Sequence, residues 1–178
     1  MLTRLYHSLA SWKMAVFFSV LAGGLSAALI YSLRARPPTA PSILALQLAF
    51  SSDRLASILD QWGKAAMEAY VNSMWLDFLY PPAYAAAFSA WFAFLMRNQK
   101  EDVLPMRHHL VLFVMPFVAA GMDYVENALH LWMFAILHAL PPLVVFLASL
   151  AAAIKWSLIG ISIVVIGSLA IRFLMSKR

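Results

Sequence analysis

The sequence predicts an all-α membrane protein, a four-helix transmembrane bundle with an amphipathic extracytoplasmic helix between its first and second spans. Three observations predict it. The chain is 63% hydrophobic. Only 12% of its 178 residues are charged, against about 25% in soluble domains. Its apolar residues gather into four runs near or above the ~20 residues that cross a bilayer. A chain of this length holds one domain, spanning 1–178.

The first run is Met14 to Leu33, 20 residues long. Arg4 and Lys13 precede it, as they would in a secretory leader. The run is longer than the ~7–15 apolar residues of a signal peptide and ends without an A-x-A site. It reads as an uncleaved first span, 14–33. ARPPTAP (Ala35 to Pro41) then breaks the chain.

The segment 43–71 follows. Ile43 to Phe50 is apolar but too short to span. Ser51, Ser52 and Asp53 offer a helix cap. Beyond them Leu55, Ile58, Leu59, Trp62, Ala66 and Tyr70 fall on one helical face. Asp53, Arg54, Asp60, Gln61, Lys64 and Glu68 fall largely on the other. Such a helix lies at a membrane surface or caps the bundle. It acts either as a packed lid or as a gate.

The second span runs 73–96 and contains Pro81–Pro82, which kink it or open it with an irregular turn. A polar loop, RNQKED, leads to Arg107, His108 and His109. The third span runs 110–137, with Pro116 near its start. Pro141–Pro142 make the next turn. The fourth span, 143–173, is long enough to tilt or to project past the bilayer.

Basic residues set the expected orientation. Arg4, Lys13, Arg97, Lys100, Arg107, Arg172, Lys177 and Arg178 gather on one side, and Arg34, Arg36, Arg54 and Lys64 on the other. The positive-inside rule places both termini in the cytoplasm and the amphipathic segment outside. With the cations at helix ends, the net charge of +5 is a topology signal, and no nucleic-acid partner is expected. The absence of cysteine excludes disulfides, thiolate metal sites, Cys nucleophiles and CxxC redox chemistry.

Asp77, Asp123, Glu126 and Lys155 lie inside the apolar runs. A charge there costs roughly 2.5–3.5 kcal/mol on insertion scales, so such residues face a bundle interior, pair, or line a site. Asp123, Glu126, Asn127 and His130 are spaced i, i+3, i+4, i+7 and share one face. Asp77, Tyr80 and Tyr84 do the same. At 1.5 Å per residue, Lys155 and Asp123 lie roughly 18 and 21 Å below the outer ends of their spans. Lys155 can therefore meet Asp123 or Glu126 near the midplane, with Asp77 and His130 meeting higher up. The expected result is a polar column opening outward beneath the amphipathic helix.

Several functions fit this column. A buried ion pair could simply fix helix register. One lysine cannot neutralise three carboxylates, so an acid must be protonated, solvated or matched to another cation. Asp123, Glu126 and Asp77 could serve as catalytic acid and base on a lipid-like substrate, with Tyr80, Tyr84 or Asn127 orienting it. A hydrophobic ligand could instead bind without turnover. Trp75, Tyr80, Tyr84, Phe88 and Trp132 would line its cavity, with Trp62 above, Lys155, Asn127 and His130 among the contacts, and one acid as counter-ion. A proton or ion path is a further possibility. A metal on Asp77, Asp123, Glu126 and His130 would compete with Lys155, and none is expected; nor is a cofactor. Membrane lipids and a hydrophobic small molecule are the expected partners. His7, His108, His109 and His138 read as interfacial. The span serines, among them Ser19 and Ser89, read as packing residues without a nucleophile elbow. Gly23, Gly24, Gly160 and Gly167 read as points of close helix contact.

In Leu76–Tyr84 (LDFLYPPAY) and Asp123–His130 (DYVENALH) the chain resembles a family of small four-helix integral membrane proteins, mostly bacterial and functionally uncharacterised. The pattern also includes Leu46–Ala49, Asp53–Gly63 and Lys155, so it covers most of the chain. The resemblance implies the four-helix layout and carries no activity. The layout is also similar to that of emopamil-binding, sterol-isomerase-like membrane proteins, which group carboxylates within a small bundle. No residue motif is shared with them. The reading the sequence best supports is recognition of a hydrophobic or lipid-like ligand at the carboxylates. A lipid-modifying enzyme and a structural or assembly subunit are the alternatives.

Overall fold

The computed structural model describes residues 2–99 and 106–176. Lys100, Glu101, Asp102, Lys177 and Arg178, which entered the loop and orientation readings, lie outside the described residues. Among the described residues the chain is helical, with no strand. The helices are α1 (Leu2–Leu9), α2 (Trp12–Ser32), α3 (Ile43–Gln47), α4 (Ser52–Asp77), α5 (Tyr80–Arg97), α6 (Met106–Leu131) and α7 (Pro142–Met175). A π-helical segment, Trp132–Leu137, continues α6. Three stretches are long and apolar enough to cross a membrane: Trp12–Ser32, Arg107–Leu137 and Pro142–Met175.

The second span departs from the sequence reading. Residues 73–77 belong to the end of α4, and the chain breaks at Phe78 and Leu79 before α5 begins. The prolines explain the break. Each lacks an N–H, and its ring clashes with the carbonyl four residues earlier. Pro81 and Pro82 therefore end one helix, and both are tolerated in the first turn of the next. Asp77 consequently closes α4 and is not inside a continuous second span.

The chain divides into two compact units. One comprises Met1–Gly23, Pro81–Ala120 and Trp156–Arg178; the other comprises Gly24–Tyr80 and Gly121–Lys155. In the first, α1 buries Tyr6 and Leu9 against Ala90, Ala93 and Phe113. Ser89 Oγ donates to the Phe113 carbonyl at 2.7 Å, and Trp91 Nε1 donates to Ser19 Oγ at 3.0 Å.

The second unit is built on the apolar stripe of α4. Leu55, Ile58, Trp62, Ala66 and Tyr70 are buried among Leu46, Met133, Val145 and Ala148. The opposite face, with Asp53, Arg54, Asp60, Gln61, Lys64 and Glu68, is exposed. Ser51 caps the helix, its Oγ accepting from the Arg54 N–H. Three long-range bonds hold the chain around α4. Ser52 Oγ donates to the Leu140 carbonyl at 2.8 Å. The Phe50 N–H donates to Ser149 Oγ at 3.0 Å. Trp62 Nε1 donates to the Pro41 carbonyl at 2.8 Å. Beside Trp62, Gly63 adopts φ 74°, ψ 169° and interrupts α4; that conformation is essentially restricted to glycine.

The span glycines do not mark close helix contacts. A Cβ at Gly23, Gly24, Gly160 or Gly167 would meet nothing within 4 Å.

Candidate functional site

The site lies wholly in the second unit and starts from the polar face of α6. Asp123, Glu126, Asn127 and His130 follow one another at helical spacing, and all four are buried. Lys155 of α7, also buried, reaches two of them. Its Nζ donates to Asp123 Oδ1 at 3.0 Å and lies 2.6 Å from Glu126 Oε2. The second contact is a short ion pair reinforced by a side-chain hydrogen bond. Asp123 and Glu126 are one turn apart, so a single ammonium can bridge both. The expected pairing of Lys155 with Asp123 or Glu126 is found with both.

His130 meets a different partner from the one expected. Its Nδ1 lies 2.8 Å from the Tyr70 hydroxyl and 4.0 Å from Glu126 Oε1. Phe134 stacks on its ring, with centroids 5.5 Å apart. Tyr70 is held edge-on by Trp62 at 5.7 Å. Asp77 was expected to meet His130. It ends α4 instead, half-buried, with Asn127 beside it. Tyr70 was read from the sequence only as part of an apolar stripe. The available signal was its hydroxyl, since a buried phenol usually finds a hydrogen-bond partner.

The remaining expected residues separate. Tyr80 is half-buried beside Ser26, within electrostatic reach of Asp77, Asp123 and Lys155. Trp62 is buried and joins the network through Tyr70. Trp75 and Trp132 were expected to line a cavity, but they are 67% and 44% exposed. Helical phase gives the reason: Trp75 is two residues from both Ser73 and Asp77, on the far side of α4 from them. Tyr84 is buried in the first unit, with Phe88 at 6.2 Å. Outside the site, His108 is exposed and His109 stacks on Tyr6 at 6.4 Å. Among the described residues, no group of three or more His, Asp and Glu side chains converges as a metal site would.

Two features set the polar character of the site. The side-chain nitrogen and oxygen of Asn127 are buried, and the Asp77 carboxyl is the amide's side-chain hydrogen-bond partner. Charge is also unbalanced, with three carboxyl groups around one ammonium. Buried polar groups are hydrogen-bonded in more than about 90% of cases. A buried charge needs a partner or a proton.

No family model, no curated protein and no solved structure matches this chain.

The Tyr70–His130 contact makes a specific prediction. Tyr70→Phe deletes only the hydroxyl and leaves a buried ring nitrogen without its partner, at a cost of about 1–3 kcal/mol. Thermal unfolding in detergent should show a clear loss. Tyr124→Phe, which removes an exposed hydroxyl bonded to the Phe78 carbonyl, should lose less. Equal losses in the two variants would contradict this assignment.

Proposed function

We propose that this chain is a four-span membrane protein that binds a hydrophobic or lipid-like ligand at the Asp77–Asp123–Glu126–Lys155 cluster. The observation that carries the reading is the composition of the cluster, in which three carboxyl groups stand around one buried ammonium that Asp123 and Glu126 already hold. Burying a carboxyl without its own partner is costly. A polar ligand head group would recover that cost, while its tail stayed among apolar side chains.

A second reading is favoured by Lys155 itself. Its contacts with both Asp123 and Glu126 are those of a buried pair that sets the register of α6 against α7. A structural or assembly subunit would need no more than this. Acid–base catalysis on a lipid-like substrate draws on the unlike settings of the three carboxyls, two held by Lys155 and one apart.

For the fourth span, the reading takes the crossing through 73–96, mainly α5, supported by the bent α4–α5 pair being apolar enough for a broken span or a re-entrant loop. The resemblance to the small bacterial four-helix proteins supports this layout and a bacterial inner membrane. The distribution of basic residues supports cytoplasmic termini and an external α4. The cysteine-free chain suits a direct test. Ser57→Cys should react with a membrane-impermeant maleimide on intact cells, and Ser8→Cys only after lysis. The opposite pattern would reverse the orientation.

Native mass spectrometry in mild detergent tests the ligand. The wild type should carry a discrete bound mass that the folded Asp123→Asn/Glu126→Gln variant lacks. Bare protein in both, with the variant only less stable, would replace ligand binding by the structural role.

A further inference from the structure

Charge is distributed unequally between the two units. By sequence the first holds eight basic and two acidic residues, a net of +6, and the second holds five basic and six acidic residues, a net of −1. The positive excess of the chain therefore belongs to the unit that does not hold the carboxylate cluster. The described cations of the first unit are Arg4, Lys13, Arg97, Arg107 and Arg172, and all five are exposed. Among the described residues, none of them lies within ion-pair distance of an acid.

Packing brings the helix ends that carry these cations together. Tyr6 of α1 is buried, with its ring 5.5 Å from Phe113 and 6.4 Å from His109, both of α6. This seats α1 beside the first turns of α6, where Arg107 stands. Arg97, the last residue of α5, is near enough for its charge to act on the Tyr6 phenol. Two residues beyond it, Gln99 Nε2 donates to the Leu169 carbonyl of α7 at 3.1 Å. Arg172 follows Leu169 by three residues. Phe94 of α5 and Phe173 of α7 meet at the same end, 5.8 Å apart.

The composition of α1 is a second, independent observation. Leu2, Leu5, Tyr6 and Leu9 share one face of this helix, and Arg4, His7 and Ser8 the other. The unit covers only part of the apolar face. Tyr6 and Leu9 are buried, whereas Leu2 and Leu5 are exposed, as is Trp12 at the start of α2. A soluble anion would match the cations and leave these three apolar side chains in water. A bilayer surface matches both. The apolar face of such a helix sinks below the headgroups while its basic residues meet anionic lipid, and tryptophan favours the same depth.

We propose that this end of the first unit binds anionic phospholipid, with α1 lying in the headgroup layer and Arg4, Arg97 and Arg107 recruiting the lipid phosphates. The surface belongs to a different unit from the carboxylate cluster and does not depend on the ligand reading. It rests only on the reading that the long apolar stretches cross a bilayer. Basic helix ends orient spans in any membrane; the added claim is that this end selects one lipid class over another.

The test uses the full-length chain in phosphatidylcholine vesicles. The vesicles carry either brominated phosphatidylglycerol or, at the same mole fraction, brominated phosphatidylcholine. Because the chain has no cysteine, Leu5→Cys and Val164→Cys can each carry a bimane label, which bromine quenches on contact. Val164 is exposed on α7 and eight residues from the nearest basic residue on that helix, Arg172. Attraction to an anionic surface is worth about a fivefold preference per basic residue. The Leu5 label should therefore report brominated phosphatidylglycerol enriched about fivefold or more over brominated phosphatidylcholine. The preference should fade in about 1 M salt, where the screening length is about 3 Å. It should also fade in Arg4→Gln/Arg97→Gln/Arg107→Gln. At Val164 the two lipids should quench equally throughout.

Equal quenching at Leu5 by the two lipids would overturn the proposed selectivity. A preference unchanged by the arginine substitutions would overturn the role of these cations. Quenching at Val164 but not at Leu5 would place α1 off the bilayer and leave the cations to a soluble anion, which overturns the proposal. Quenching at neither position would overturn the membrane reading with it. Val164 quenching in the arginine variant checks that it is folded and inserted, and the salt series decides the matter if it is not.

Discussion

Lys155 is the constraint on which the second unit depends. Its ammonium is buried, so it cannot relax toward water. It must find carboxylates, and Asp123 and Glu126 are the two it finds. Because they are one turn apart, a single point on α7 is matched to a single stretch of α6. Sliding either helix by one residue would carry a charge out of reach. One turn further along α6, His130 takes the Tyr70 hydroxyl, and α4 is drawn into the same arrangement. Net stability from such a pair is modest, because desolvation offsets most of the attraction. Its effect on specificity is larger, because every misaligned alternative buries a charge alone.

The rest of the second unit supports this network with neutral bonds. Trp62 is fixed by the Pro41 carbonyl and holds Tyr70 edge-on. Ser149 receives the Phe50 N–H at a residue with positive φ, 58°, an unfavourable setting for an aromatic side chain. Ser52 ties the start of α4 to the Leu140 carbonyl. The polar groups of these connections are thus paired.

How far the sequence announced this depends on the kind of signal. The apolar runs and the α4 stripe were legible because burial leaves a period in the chain. The α6 face was legible because four polar residues in an apolar helix cannot all be accidental. The Lys155 pairing followed from depth alone. Other features left no periodic trace. The exact break before Pro81 depends on which carbonyls the two proline rings displace. Tyr70 looked apolar because a phenol on a hydrophobic stripe resembles phenylalanine. Trp75 and Trp132 looked like cavity residues by composition, but helical phase turns them outward. The glycines suggested close packing, yet the space beside them is open.

The central claim is that Lys155 and its two acids form one interdependent charge unit. A mutant cycle read by thermal and denaturant unfolding tests this directly. Lys155→Met should destabilise the protein by roughly 3–5 kcal/mol, because it strands two buried carboxylates. Adding Asp123→Asn and Glu126→Gln should recover most of that loss, because the stranded charges disappear with their partner. A near-neutral Lys155→Met, or losses that simply add across the three substitutions, would contradict the account.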